Sequence, residues 1–105
     1  MADDETTVID NPDRDRYEIR LDGDLAGFAQ YVRRGGRTFF VHTEIDPRFE
    51  GKGLGSKLAS GALGGERAAG TKVVPLCPFV RSYIDRHPDE MDNVDHALLE
   101  RIDNE

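Results

Sequence analysis

The stretch "HTEIDPRFEGKGLGSKL", residues 42–58, places Gly51, Gly53 and Gly55 at every second position between a strand pattern and a helix pattern. Alternate glycines argue against a regular element running through the segment and leave a backbone that other atoms can approach closely. The chain must turn here from sheet to helix, with bare amides at the helix start and Lys52 and Lys57 beside them.

What precedes the loop reads as an antiparallel meander. "RYEIRL" alternates Tyr17, Ile19 and Leu21 with Glu18 and Arg20, the period of a half-buried strand, and residues 6–9 have weaker strand character. Asp22-Gly23 is two-residue hairpin chemistry, after which "DLAGFAQYVRR" resumes the strand pattern. Gly35-Gly36 mark a second reversal into "RTFFVHTEI". Simple alternation puts Phe39, Val41, Thr43 and Ile45 on one face of that strand and Phe40, His42 and Glu44 on the other.

Downstream of Pro47, Leu54, Leu58 and Ala62 recur at helical spacing. Gly61, Gly64 and Gly65 predict a helix that weakens toward its C-terminal half, with Gly70 as its cap or the turn after it. "TKVVPL" is a short apolar strand broken by Pro75, whose missing N–H predicts that the sheet parts there. Pro78 suits the first position of a second helix ending near His87-Pro88, and a short last helix is expected over 94–102.

A chain of 105 residues has room for one domain, taken as residues 1–105 with a core over about 6–90 and mobile ends at 1–5 and 103–105. Its composition, 37% hydrophobic and 33% charged, fits a globular protein. No apolar run approaches the roughly 20 residues of a membrane helix, and "MADDETTVID" is acidic where a targeting signal is basic and then apolar, so the expected location is cytoplasmic. Cys77 is the only cysteine, which excludes an internal disulfide and a multi-cysteine zinc site; no metal is expected. With 14 basic and 21 acidic residues the net charge is -7, which argues against a nucleic-acid partner and favours cationic ones.

Amides at a helix start bind anions, and glycines let a phosphate come close. Gly51, Gly53 and Gly55 do not give the G-x-G-x-x-G dinucleotide fingerprint, and Gly55-Ser56-Lys57 is not the Gly-Lys-Ser/Thr of a P-loop. The order of elements instead resembles the GNAT superfamily of acyl-CoA-dependent N-acyltransferases, whose phosphate loop reads Gln/Arg-x-x-Gly-x-Gly/Ala. Here the loop is "EGKGLG". "HTEIDPRFEGKGLGSKL" together with "KVVPLCPFV...YIDRHP" is similar, more narrowly, to the small single-domain members that lack the usual N-terminal helices. The likeness runs over residues 17–88, and Glu50 departs from it where the family has Gln or Arg.

The resemblance implies an α/β, minimal GNAT-like fold: a mostly antiparallel, splayed sheet with packed helices. It implies acetyl-CoA as cosubstrate, with its pantetheine arm beside Glu44, Ile45 and Asp46. The pyrophosphate would lie on Gly51, Lys52, Gly53, Leu54, Gly55 and Ser56, with Arg48 and Lys57 adding positive charge. Acyl transfer to an amine needs a proton acceptor, a polarised carbonyl and a proton for the departing thiolate. His42, an imidazole able to exchange protons near neutral pH, has Glu44 two residues on for the first role. Cys77, just before the second helix, either carries the acyl group or borders the CoA sulfur. Tyr83 resembles the tyrosine with which many larger members protonate the leaving thiolate.

The expected function is acetyl transfer to a primary amine of a protein lysine, an N-terminus or a polyamine, by a monomer or weak dimer. Two alternatives stay open from the residues: a non-catalytic CoA-binding or protein-interaction module, and hydrolysis of the thioester through Cys77.

Overall fold

The computed structural model describes residues 5–90 and 93–104. Of the ends expected to be mobile, residues 1–4 and 105 lie outside that description. Five strands form one sheet in chain order: β1 (Thr6–Asn11), β2 (Arg16–Leu21), β3 (Asp24–Arg34), β4 (Arg37–Ile45) and β5 (Lys72–Pro75). The first four are antiparallel neighbours, and β5 joins β4 in parallel. This is the α/β, splayed and mostly antiparallel arrangement expected of the sequence. Both hairpins turn on residues with positive φ, Asp22 and Gly23 in one and Gly35 and Gly36 in the other, as the twist of the flanking strands requires.

A parallel strand cannot follow β4 directly, and helix α1 (Leu54–Ala69) makes the crossover. Its stripe of Leu54, Leu58, Ala62 and Leu63 is buried against Tyr17, Ile19, Ala29, Tyr31 and Phe40 of the sheet. Helix α2 (Pro78–Arg86) adds Val80, Tyr83 and Ile84 to that core. Helix α3 (His96–Asp103) starts two residues later than expected because Val94 is taken up in a bridge to Val73 and Asp95 caps the helix by accepting from the Leu98 N–H.

Two expectations are corrected. α1 does not weaken in its second half but runs to Ala69 and ends on a left-handed Gly70. Two of the three glycines there are sites of close approach: a Cβ on Gly61 would lie 2.8 Å from the Val8 side chain, and one on Gly65 would lie 2.7 Å from the Tyr17 hydroxyl, whereas Gly64 faces open space. Packing against β1 and β2 offsets the lower helix propensity.

The second correction concerns β4. Gln30 pairs with His42 and Tyr31 with Phe40, so Val41 is an extra residue, a β-bulge. An extra residue reverses the side-chain alternation beyond it. Phe40 therefore faces the helices together with Thr43 and Ile45, whereas Val41, His42 and Glu44 turn to the opposite face with Phe39. The expected grouping of Phe39 and Val41 with Thr43 and Ile45 does not hold.

One carboxylate, Glu66 on α1, joins most of these elements. It is 1% exposed and accepts hydrogen bonds from the Tyr17 hydroxyl of β2 at 2.5 Å, Arg33 of β3 at 2.6 Å, Thr38 of β4 at 2.5 Å and Thr71 before β5 at 2.9 Å. Arg33 also pairs with Asp10 of β1 at 3.0 Å. Burial opposes the charge on Glu66, but the bonds from Thr38, Tyr17, Arg33 and Thr71 outweigh it and hold the carboxyl below its ordinary value of 4.5. A lowered folded value stabilises the fold above pH 4.5, and that contribution is lost as pH falls through the lower value. Urea unfolding should accordingly show stability declining below about pH 4.5. Glu66→Ala should lose roughly 2–4 kcal/mol at pH 7, because the buried Tyr17 and Thr38 hydroxyls lose their acceptor while the half-exposed Arg33 keeps Asp10. A variant within 1 kcal/mol of the wild type would show the network to be dispensable.

Candidate functional site

The bulge and Pro75 act at the same level of the sheet. Pairing between β4 and β5 ends at Phe40–Pro75, where the Phe40 carbonyl accepts from both the Leu76 N–H at 3.0 Å and the Cys77 N–H at 2.8 Å. Beyond it α2 leads away, and the rest of β4 has no strand on that side among the described residues. The Asp46 N–H donates to Ala26 on the β3 side, so strand alternation aims the peptide groups of Thr43 and Ile45 at the open side. A strand edge left unpaired in this way is a template for another extended chain.

That edge forms one wall of a cleft of about 420 Å³ lined by Thr43, Ile45, Phe49 and Glu50, the glycine loop, and Phe79 and Arg86 of α2. The other wall is the start of α1. Asp46 caps the 3-10 turn Pro47–Phe49 by accepting from the Arg48 N–H, and the chain then enters α1 through Gly51 at φ 87° and Gly53 at φ 72°. Gly53 is the N-cap residue and supplies no side chain, and the first turn holds no acidic residue. The first amides of α1 have no helical partner to their N-terminal side, and the positive end of the helix dipole faces the cleft with them. Anions suit such a mouth.

The expected site residues fall into distinct places. Ile45, Gly51, Gly53, Leu54, Gly55 and Ser56 line the cleft. Lys52 and Lys57 are exposed residues next to its lining, and Arg48 pairs with Asp46 at 3.0 Å, which holds the Asp46 carboxyl below its ordinary value. Cys77 is the N-cap residue of α2 and is 3% exposed; its thiol donates to the Thr43 hydroxyl at 3.3 Å, so it lies directly behind the cleft wall. His42 and Glu44 are hydrogen-bonded to each other at 2.8 Å and project from the uncovered face of the sheet with side chains 53% and 61% exposed. Phe28 of β3 flanks the His42 ring. Beside Glu44 is a depression of about 240 Å³ lined by Leu25, Gly27, Phe28, Asp46 and Pro47. Cleft and His42–Glu44 pair thus occupy opposite faces of the sheet, which is open between them past Phe40.

Tyr83 is not brought to the cleft. Its hydroxyl donates to Glu90 at 3.0 Å and its ring stacks on His87. Burial, opposed by the Ser60 hydroxyl and reinforced by the Glu90 carboxylate, keeps the phenol above its ordinary value. Sequence reasoning did not find Thr43, Phe49, Phe79 or Arg86. Phe79 and Arg86, seven apart on a helix, share one stripe, but only the packing of α2 on α1 turns that stripe to the loop. Among the described residues no cluster of three or more His, Cys, Asp or Glu is placed to hold a metal ion, and no helix is long and apolar enough to cross a membrane.

The sequence profile of a family described as GCN5-related N-acetyl-transferase matches residues 16–94, from the start of β2 to the bridge after α2. Among solved structures, the chain is similar to the solution structure of a "GCN5-like putative N-acetyltransferase" from Staphylococcus aureus. The TM-score is 0.64 at 16% identity, covering 84% of this chain and 86% of that one. At that identity the likeness shows the fold. Comparison with curated proteins gives no significant match.

Close packing of α2 on the loop is testable. A Cβ on Gly55 would lie 2.4 Å from the tip of the Phe79 ring, so the ring must move although alanine is the better helix former. With the ring free to swing toward solvent, Gly55→Ala should change stability by less than about 1 kcal/mol, and it should be stabilising in a Phe79→Leu background, giving a measurable coupling in a double-mutant cycle. Equal effects in both backgrounds would mean that Phe79 does not pack there.

Proposed function

Because this chain belongs to the GCN5-related N-acetyltransferase family, we propose that it transfers an acetyl group from acetyl-CoA to a primary amine, working in the cytoplasm. The observation that carries this reading is the cleft between the unpaired edge of β4 and the glycine-lined start of α1. The edge offers the peptide groups of Thr43 and Ile45 to the two amides of a pantetheine arm. The amides around Gly53, Leu54, Gly55 and Ser56 offer donors to a pyrophosphate, with Lys52, Lys57 and Arg48 contributing local positive charge. Glu50, where related loops carry Gln or Arg, takes no part in holding phosphate.

The acceptor approaches from the opposite face, where His42 and Glu44 are exposed and no helix among the described residues covers them. His42 takes a proton from the incoming ammonium group, with Glu44 orienting the ring and stabilising the imidazolium. The amine nitrogen then attacks the thioester carbonyl through the opening past Phe40, the C–S bond breaks, and the second proton that the nitrogen sheds as the amide forms passes to the CoA thiolate. Cys77 and Thr43 border the sulfur. Cys77 is assigned a lining role rather than that of acyl carrier, because a buried thiol bonded to Thr43 is poorly placed to attack. An acceptor lysine, N-terminus or polyamine suits the acidic groups Glu44 and Asp46 on that face.

Ser56 and His42 separate binding from chemistry. Ser56→Asp puts a negative charge in the first turn of α1, where it favours the helix but repels phosphate. The variant should melt no lower than the wild type and bind acetyl-CoA at least about tenfold more weakly by calorimetry. His42→Ala should bind acetyl-CoA normally and lose roughly 100-fold in transfer to an amine that the wild type acetylates. Undiminished binding by Ser56→Asp would remove the phosphate from the loop, and a rate loss below about tenfold would make His42 structural.

A further inference from the structure

Arg86 is the only cationic side chain in the lining of the 420 Å³ cleft, and it makes no ion pair or hydrogen bond among the described residues. In its last-turn position it complements the dipole of α2. That does not account for its place in the cleft, where Glu50 is the other charged residue of a protein with net charge -7. An exposed cation left without a carboxylate, in a predominantly acidic molecule, is available for an anionic ligand.

Its position along α2 says which part of the ligand it meets. The start of α2 is at Cys77 and Thr43, where the sheet opens and the thioester belongs in the proposed reaction. Arg86 is the last of the nine residues of α2, roughly 13 Å further along the axis at 1.5 Å per residue, and two turns beyond Phe79 on the same stripe. Thr43 at the acyl end and Ser56 of α1 at the loop line the same cleft, and the length of α2 sets Arg86 away from Thr43. Arg86 is therefore at the nucleotide end, remote from the acyl end. The pyrophosphate already has the amides of the glycine loop in this reading. A 3′-phosphate on the adenosine ribose is a further dianion with no amide cluster assigned to it, and a guanidinium fork is suited to grip it.

Resting on the acetyl-CoA reading of the cleft, we infer that Arg86 binds the ribose 3′-phosphate and is the residue by which this protein distinguishes CoA thioesters from those of 3′-dephospho-CoA. Neither the fold nor the acyl chemistry requires this selectivity. It is a property of one side chain on α2.

The test measures binding of acetyl-CoA and of 3′-dephospho-acetyl-CoA, by calorimetry at low salt, to the wild type and to Arg86→Gln. The wild type should prefer acetyl-CoA by about tenfold, the factor that corresponds to about 1.4 kcal/mol, and the preference should shrink as salt is raised. Arg86→Gln should bind acetyl-CoA about tenfold more weakly and 3′-dephospho-acetyl-CoA unchanged, reducing the preference to less than about twofold. If the variant weakens both ligands alike, Arg86 acts on the pyrophosphate or only on the helix, and the assignment is overturned. An unchanged preference in the variant overturns it too. Binding of neither ligand by the wild type overturns the acetyl-CoA reading itself, which separates that failure from a failure of Arg86 alone.

Discussion

The carbonyl oxygen of Phe40 is the last point at which β4 and β5 are joined, and the functional half of the molecule follows from how that junction ends. Two consecutive N–H groups, of Leu76 and Cys77, converge on this one acceptor. Pro75 has no N–H to give, and Val41 bulges out of β4 at the same level. A ladder cannot continue past such a vertex. The chain instead enters α2 at Pro78, a residue suited to the first position of a helix, with Cys77 fixed at its cap. The open edge of β4, the placement of Thr43 and Ile45 on the helix side, and the outward turn of His42 and Glu44 are consequences of that one interruption.

An open vertex in a small sheet must be held from elsewhere, and the Glu66 network does this. Strands β2, β3 and β4 bond directly to a single carboxylate on α1, and β1 is joined through Arg33 and Asp10. Helix α1 both anchors the sheet through Glu66 near its C-terminal end and presents free amides to the cleft at its N-terminal end. A second cluster, Glu90 with Arg67 at 2.6 Å and Tyr83 at 3.0 Å, ties the chain after α2 back to α1. Despite burial, the bonds from Arg67 and Tyr83 keep the Glu90 carboxyl below its ordinary value. The walls of the cleft are braced by charges outside it, so an acidic protein can keep an anion-accepting mouth: net charge and local field are separate quantities.

Much of this was legible in the residues. Alternation in "RYEIRL", the Asp22-Gly23 and Gly35-Gly36 turns, the four-residue spacing from Leu54 and the Pro75 break gave the element order and the parting of the sheet, because each is a local signal. The bulge was not legible. An extra residue is defined by pairing with β3, and nothing in "RTFFVHTEI" marks Val41 as the one left over. For the same reason the faces of β4 could not be assigned from its own alternation. The persistence of α1 through Gly61 and Gly65 depends on Val8 and Tyr17, more than 40 residues away in sequence. At the site, the loop residues were found because glycine spacing is local, whereas Phe49, Phe79 and Arg86 reach the cleft only through tertiary packing. Tyr83 has the spacing of a residue on the inner side of α2, but Glu90 holds its hydroxyl elsewhere.

In the proposed reaction an extended acyl-donor arm pairs with the edge of β4 beyond Phe40. Amide hydrogen exchange, followed residue by residue by NMR with and without acetyl-CoA, tests it most directly. The amides of Thr43 and Ile45 should exchange fast in the free protein while those of His42 and Glu44, directed to β3, are protected. Saturating acetyl-CoA should then slow Thr43 and Ile45 along with the amides around Gly53 to Ser56. Protection that appears at the loop while Thr43 and Ile45 continue to exchange at their original rates would contradict it.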